Sequence, residues 1–426
     1  MKKSKTMKYF GKIFAVAAIT SLCVGTLSGC SGTALGLFSG SKTKSRKNFA
    51  VDYMRAGKNG PKYVEVTNDD DFLNKKNYIN SVLEDYFLYD VDQQAMYEGM
   101  FRGMLDALDD PYTFYYTPDE YAQMTEDTSG LYCGIGTLVN QNMETGAITI
   151  VRPFADSPAA KAGVLAGDIL VEIDGENVSE WSLDFAVTKM RGEPDTPVTI
   201  KVYRPLEGEY HEMKIIRAIV ESESVSFKMM DDKIGYINVS EFNEPTYDQF
   251  LNAYKSLTKQ GMKGLVIDLR NNPGGLVYIV SDMLDEFLDS GMIVYMEEKS
   301  GNRSELKAEK GKQKLVPTTV LMNENSASAS EIFAGCMQDY GLATIVGTQS
   351  FGKGIVQNVI PMADGSAFQL TIAHYFTPNG RCIHGIGITP DVEAKLDPEL
   401  ARMITIPEES DTQLQEAIRV VKEKMN

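Results

Sequence analysis

Histidine is nearly missing from this chain. His211, His374 and His384 are the three in 426 residues, and none stands in a recognisable triad motif. A hydrolase made from this sequence must look elsewhere for its base, and a histidine base at His374 or His384 is the lesser alternative. Cysteine is scarce too. Cys23, Cys30, Cys133, Cys336 and Cys382 include no CxxC pair, which argues against a zinc site; no metal and no cofactor is expected. Cys133 and Cys336 read as small buried residues. Basic charge is short. The formal net charge is −17, and Lys2, Lys3, Lys5, Lys8 and Lys12 all fall in the leader, so the remainder is more acidic still. Such a surface argues against nucleic acid and against a polybasic membrane patch. Long apolar runs are also wanting: the run 13–27 falls short of the ~20 residues of a spanning helix.

What the chain has is a globular composition, 43% hydrophobic and 24% charged, at a length that allows two or three domains. Its densest signal lies at 323–357. Val320-Leu321-Met322 reads as a buried strand, and Ser326-Ala327-Ser328-Ala329-Ser330 follows with almost no side-chain bulk. Glu331 opens a helical pattern in which Ile332, Phe333, Cys336, Met337 and Tyr340 recur at spacings of three and four, until Gly341 ends it. A serine cluster thus sits where a strand turns into a helix. The helix N-terminus offers unpaired N–H groups and partial positive charge, a ready site for an oxyanion. Lys353 lies between Gly352 and Gly354 in a later loop. A lysine serves as a base where burial lowers its pKa, and Gln357 could hold the amine by a neutral hydrogen bond. Taken singly, the serine run is a helix cap and Gly-Lys-Gly a turn or anion nest. These residues alone do not choose among Ser326, Ser328 and Ser330.

The two motifs together, Ser326 to Glu331 and Phe351-Gly352-Lys353-Gly354 with Gln357, resemble the active site of the carboxyl-terminal processing peptidases, tail-specific proteases with a Ser/Lys dyad. The resemblance implies Ser328 as nucleophile, Lys353 as general base and Gln357 as its orienting partner. It also makes Gly274, in Asn271-Asn272-Pro273-Gly274-Gly275 after the strand 264–270, one oxyanion donor and Ala329 the other. Further matches stand at Leu108-Asp109-Asp110-Pro111-Tyr112, Thr377 to Arg381 and Gly387 to Asp391, so the resemblance spans about 72–395; His374 and His384 depart from it.

In chain order, 1–29 reads as a signal peptide with a lysine-rich start and an apolar centre. Leu27-Ser28-Gly29-Cys30 resembles a bacterial lipobox, which implies lipidation of Cys30; an uncleaved anchor is the runner-up. Either places the chain on the extracytoplasmic face of a membrane. Residues 30–71 look like a tether, and 72–125 like a helical N-terminal region. Residues 126–220 resemble a PDZ domain, through Ala162-Gly163-Val164, Gly167-Asp168-Ile169-Leu170 and Ile173-Asp174-Gly175. Such domains bind a peptide tail as an added strand; here Gly134, Ile135 and Gly136 would hold its carboxylate. Strand 198–203 is read as the last of this domain, with hinges near 126–130 and 219–224. Residues 221–395 form the peptidase core, in which 318–322, 344–347 and 368–376 complete one mixed sheet, and 396–426 a C-terminal helical segment.

The expected fold is multidomain α/β: a helical N-terminal region, a PDZ domain and a mixed α/β, crotonase-like core. The expected function is a serine endopeptidase acting on proteins with unstructured C-terminal tails, the PDZ domain capturing and gating the substrate. The helical segments at both ends are candidates for homodimer contacts. A PDZ adaptor with a dead core is the alternative, and acyl-CoA chemistry on a crotonase-like core a third reading.

Overall fold

A computed structural model describes residues 66–142, 145–309, 311, 313–397, 399–400 and 406–425. Cys30, the signal segment and most of the tether lie outside the described residues. The chain divides into two units, 1–91 and 92–426. In the first, Asn68 caps the helix Asp69–Tyr86 by accepting the Asp71 N–H at 3.0 Å. Asp69, Asp70 and Asp71 complement the positive end of that helix. Its apolar side chains Phe72, Tyr78, Ile79 and Val82 are exposed.

The second unit opens with helices Gln93–Asp106 and Pro118–Ser129. The sequence predicts an all-helical region here, but a strand, Phe114–Tyr116, stands between the helices and pairs antiparallel with 367–369 of the core. Pro111 and the positive φ of Asp109 end the helix, and Phe-Tyr-Tyr suits a pleated surface better than a helix.

The PDZ-like body is a sheet in the order Thr137–Gln141, Ile148–Pro153, Ile169–Ile173, Pro197–Arg204, Glu209–Ile216. Helices Pro158–Ala162 and Leu183–Met190 belong to the same body. Alternation buries Val198, Ile200 and Val202 of one strand beside Ile148 and Ile150 of another. The sequence expectation stops at 198–203 and misses two strands. Glu209–Ile216 lies at the sheet edge and is mostly exposed, burying only Ile215, so it carries little of the alternation that marks a buried strand. Ala218–Glu221 is short and pairs with Leu131–Gly134. That pairing joins the chain's entry to the domain and its exit in one two-stranded ribbon; of the two expected hinges, 219–224 lies partly in this ribbon, and 126–130 is the end of the helix Pro118–Ser129 with its Gly130 cap.

The core holds a six-stranded sheet ordered Val225–Met229, Ile234–Val239, Gly264–Asp268, Thr318–Met322, Thr344–Gly347, Val392–Glu393. All pairings after the first are parallel. Strands buried on both faces read as unbroken apolar runs. Ile237, Leu265, Ile267, Val320 and Ile345 face the helices Thr246–Lys259, Val277–Asp285 and Ala329–Asp339. Ile234, Val266, Leu321 and Val346 face Leu414, Ala417, Val420 and Val421 of the C-terminal helix Thr412–Met425. That helix spends its apolar face on its own core. Strand Ala367–Phe376, expected in this sheet, belongs to a second one with Ile355–Pro361, Gly291–Glu298, Arg303–Ala308 and Phe114–Tyr116. It forms a hairpin with Ile355–Pro361, and such local pairing needs no distant partner.

Candidate active site

Strand Thr318–Met322 is fully buried and leads into the serine cluster. The three serines then part company. Ser326 donates its hydroxyl to the Leu269 carbonyl at 2.8 Å, Ser330 donates to the Asn272 carbonyl at 3.0 Å, and both are fully buried. Ser328 is half-buried and opens the helix Ala329–Asp339 at φ 55° and ψ −115°, with its hydroxyl bonded to no distant carbonyl among the described residues. A non-glycine residue at such a dihedral is held there by its surroundings. Here the Ser328 N–H donates to Glu331 Oε2 at 2.9 Å, and the Tyr375 hydroxyl donates to the Ser328 carbonyl at 3.0 Å.

Gly274 presses against this turn. Its φ is 106°, and a Cβ there would lie 2.7 Å from both the Ala327 oxygen and Ser328 Cβ and 2.9 Å from the Ala329 nitrogen. Only glycine allows that approach. The Ala329 N–H donates to no acceptor among the described residues, as the first amide of a helix leaves it. The Gly274 N–H, expected as the second oxyanion donor, is engaged with Asn272 Oδ1 at 2.8 Å. Asn272 is fully buried, with its amide fixed to the Val239 carbonyl at 2.9 Å.

Glu331 carries a fully buried carboxylate. Besides the Ser328 N–H it accepts from the Ser350 hydroxyl at 2.5 Å, the Gly352 N–H at 2.7 Å and the Lys353 N–H at 2.8 Å. One side chain therefore ties the serine turn to the lysine loop. The flanking glycines have a reason the sequence conceals. A Cβ on Gly354 would lie 2.5 Å from the His384 nitrogen, and one on Gly352 would lie 3.0 Å from the amides of Ile386 and Gly387. They admit the loop 383–387 against the lysine.

Burial pushes the Lys353 amine below the usual lysine range, with Asp110 opposing the shift. The amine makes no hydrogen bond to Ser328 or Gln357 among the described residues; it rests over the Tyr112 ring, 4.5 Å from the centroid. Gln357 lies on the strand that follows the lysine loop, and its Nε2 is buried without a hydrogen-bond partner. The structure thus brings Ser328, Ala329, Gly274 and the lysine loop together, with the Lys353 amine on Tyr112 and hydrogen-bonded to neither Ser328 nor Gln357 among the described residues. Glu331, Tyr375 and Asn272 escaped sequence reasoning. A glutamate three residues past a helix-opening serine reads as a capping box, which conceals its longer reach.

At the PDZ-like body, a cavity of about 200 Å³ lies among Ile135, Gly136, Thr137, Val139, Val187 and Met190. The N–H groups of Ile135 and Gly136 donate to no acceptor among the described residues. Gly134 lies in the ribbon, paired with Ala218. Tyr132 lines the same cavity, with the Arg191 guanidinium 4.7 Å from its ring centroid and 3.6 Å from Glu126. Of the cysteines, Cys336 is buried, Cys382 is exposed and Cys133, expected buried, is half-buried beside the ribbon. Among the described residues, Glu207, Glu209 and His211 are the group close enough to share a metal ion, on an exposed PDZ hairpin.

Residues 233–394 match the family model described as Peptidase family S41, 149–204 a PDZ domain, and 32–119 the activating protease CtpB N-terminal domain. A carboxy-terminal-processing protease of Bartonella bacilliformis is 41% identical over 313 residues, 71% of this chain and 70% of that one. Carboxy-terminal processing protease CtpA of Bacillus subtilis is 35% identical over 338 residues, 79% and 72% of the two chains. The crystal structure of a putative S41 protease from Bacteroides fragilis is 15% identical with a TM-score of 0.53, covering 81% of this chain and 97% of that one; its likeness is one of fold. The chain belongs to the S41 serine peptidases, in the company of the carboxy-terminal processing proteases, with a PDZ domain ahead of the peptidase core.

Proposed function

We propose that this chain is an extracytoplasmic endopeptidase, anchored by a lipid on Cys30, that selects proteins by an unstructured C-terminal tail and cuts them with a Ser328/Lys353 dyad. The observation that carries the dyad is the divergence of the three serines: two hydroxyls are bonded to backbone carbonyls, and Ser328 is held at the helix N-terminus against Gly274. In the reaction the neutral Lys353 amine takes the Ser328 hydroxyl proton as Oγ attacks the scissile carbonyl. The oxyanion forms beside the Ala329 N–H. Gly274 joins as second donor once its N–H turns from Asn272 Oδ1. The lysine returns the proton to the leaving amine, and water then releases the acyl group by the same route. Gln357 holds the amine once the two meet.

The PDZ cavity would receive the tail as an added strand, its carboxylate at the free amides of Ile135 and Gly136. Binding there would shift the domain through the ribbon of Leu131–Gly134 and Ala218–Glu221 and assemble the site. The exposed apolar side chains of helix Asp69–Tyr86 are offered to a second copy of the chain. The deciding experiment cleaves a test protein bearing an unstructured tail and maps the cut. Ser328→Ala and Lys353→Ala are expected to abolish cleavage and leave the fold intact, whereas Ser326→Ala, which removes a backbone tie, lowers stability and keeps some activity. An active Ser328→Ala protein would sink the nucleophile assignment.

A further inference from the structure

The resting place of the Lys353 amine is the ring of Tyr112, 4.5 Å from its centroid. An ammonium over an aromatic face is attracted by the ring quadrupole, more strongly when desolvated. The ring is itself fixed on the core. Gln369 Nε2 donates to the Tyr112 carbonyl at 3.0 Å, and the Thr371 N–H donates to Thr113 Oγ1 at 3.1 Å. The Tyr112 N–H and the Thr113 hydroxyl donate to Asp110 at 3.1 and 2.7 Å. Strand Ala367–Phe376, which receives this turn, is the hairpin partner of the strand bearing Gln357. The Asp110–Thr113 turn is thus registered against the same hairpin as the lysine loop. Of the charged or titratable groups on the elements around this loop, Asp110 on the turn acts on the amine itself; the His384 backbone lies against Gly354, His374 is paired with Ile355, and Glu331 accepts the Lys353 backbone N–H.

We propose that Tyr112 is a positioning residue for the lysine: its ring is the seat on which the Lys353 ammonium rests away from Ser328, and the amine leaves that seat to act as base. The inference rests on the dyad reading above. A ring face favours the cation and has no such hold on a neutral amine, so departure and deprotonation go together. Gln357 Nε2, buried without a partner, belongs to the place the amine moves to.

The test follows the Lys353 side chain directly in full-length protein carrying ¹³C,¹⁵N-lysine, its signal assigned by loss in Lys353→Met, alongside the pH profile of kcat on a small unstructured peptide. Tyr112→Leu is expected to lower the Lys353 titration midpoint by about half to one pH unit, from the usual strength of such contacts. The acid limb of kcat moves by the same amount, which raises the rate at pH 7 about three- to tenfold. Tyr112→Phe keeps the ring and stays with the parent. A midpoint unmoved by Leu, moved equally by Phe and Leu, or a folded but inactive Tyr112→Leu protein would each overturn the seat. If Tyr112→Leu does not fold, Tyr112→Trp supplies a stronger face and must raise the midpoint; an unmoved or lowered midpoint overturns the proposal. A shifted midpoint with an active Lys353→Ala protein would leave the seat standing and remove the dyad. An unmoved midpoint with an inactive Lys353→Ala protein would do the reverse.

Discussion

At the scale of single residues the central tension is Lys353, a cationic side chain held where burial favours the neutral form. The same fact that suits it to be a base makes it a burden on the fold. Its amine titrates lower in the folded protein than in the unfolded chain, whose ordinary value is 10.5. Above that pH both states are neutral and the lysine costs nothing. As pH falls from there to the lowered folded value, the unfolded chain binds the proton first and the folded protein loses stability; below the folded value the loss is constant. Lys353→Met therefore raises the urea midpoint at pH 7 relative to the parent, and the gain disappears near pH 11. A midpoint difference that does not change between the two pH values would show that the amine is as well solvated folded as unfolded. The variant hydrolyses no peptide at either pH.

At the scale of elements, Glu331 joins two that are far apart in sequence, the start of the helix Ala329–Asp339 and the loop 350–353. Four donors converge on its two oxygens in a fully buried setting. Glu331→Gln preserves the shape and replaces one acceptor oxygen by an NH₂ group. At least one backbone N–H is left facing another donor, which costs about 1–3 kcal/mol for each unsatisfied group. Thermal unfolding is expected to move down by several degrees. Labelling of Ser328 by a fluorophosphonate should slow by more than the unfolded fraction explains, because the serine turn and the lysine loop lose their shared anchor. Unchanged labelling in a destabilised protein would show that the carboxylate serves the fold alone.

At the scale of the whole molecule, the gating proposed above turns on how strongly the PDZ domain is held in this arrangement. Arg191 reaches across to Glu126 at 3.6 Å, with both side chains about 30% exposed. Arg152 pairs with Glu223 beside the ribbon. Partly exposed pairs of this kind contribute about 0–1 kcal/mol each, so one of them biases a two-state equilibrium by no more than about fivefold. Glu126→Gln is expected to raise hydrolysis of a small peptide in the absence of any tail by up to that factor and to lower the tail concentration needed for activation. A rate insensitive both to this change and to added tail peptide would make the domain a passive tether. Gly136 is a poor place for such tests: a Cβ there would lie 2.5 Å from Ser157 Cβ, so a bulky residue would distort the PDZ fold as well as its groove.

The amino-acid sequence by itself determined the elements whose signal is local. The apolar runs read at 264–270 and 318–322, the periodic helix after Glu331 and the strand read at 198–203 appear as Gly264–Asp268, Thr318–Met322, Ala329–Asp339 and Pro197–Arg204. The paired serine and lysine motifs pointed to two segments, 326–331 and 351–354, that the fold brings together through Glu331, because a rare combination at fixed spacing carries information that neither motif holds alone. What depended on long-range pairing stayed out of reach. Phe114–Tyr116 became a strand because the core hairpin offered an edge, Ala367–Phe376 left the main sheet for a nearer partner, and Leu131–Gly134 paired with Ala218–Glu221 across the ends of the PDZ domain. Residue chemistry within the run did not tell the three serines apart; besides the family resemblance, tertiary structure did, since the carbonyls that bind Ser326 and Ser330 come from Leu269 and Asn272, more than fifty residues earlier in the chain. It alone set the lysine on Tyr112. A side chain's partners are fixed by which elements pack together, and that packing is a property of the whole core, beyond anything periodicity within one segment can encode.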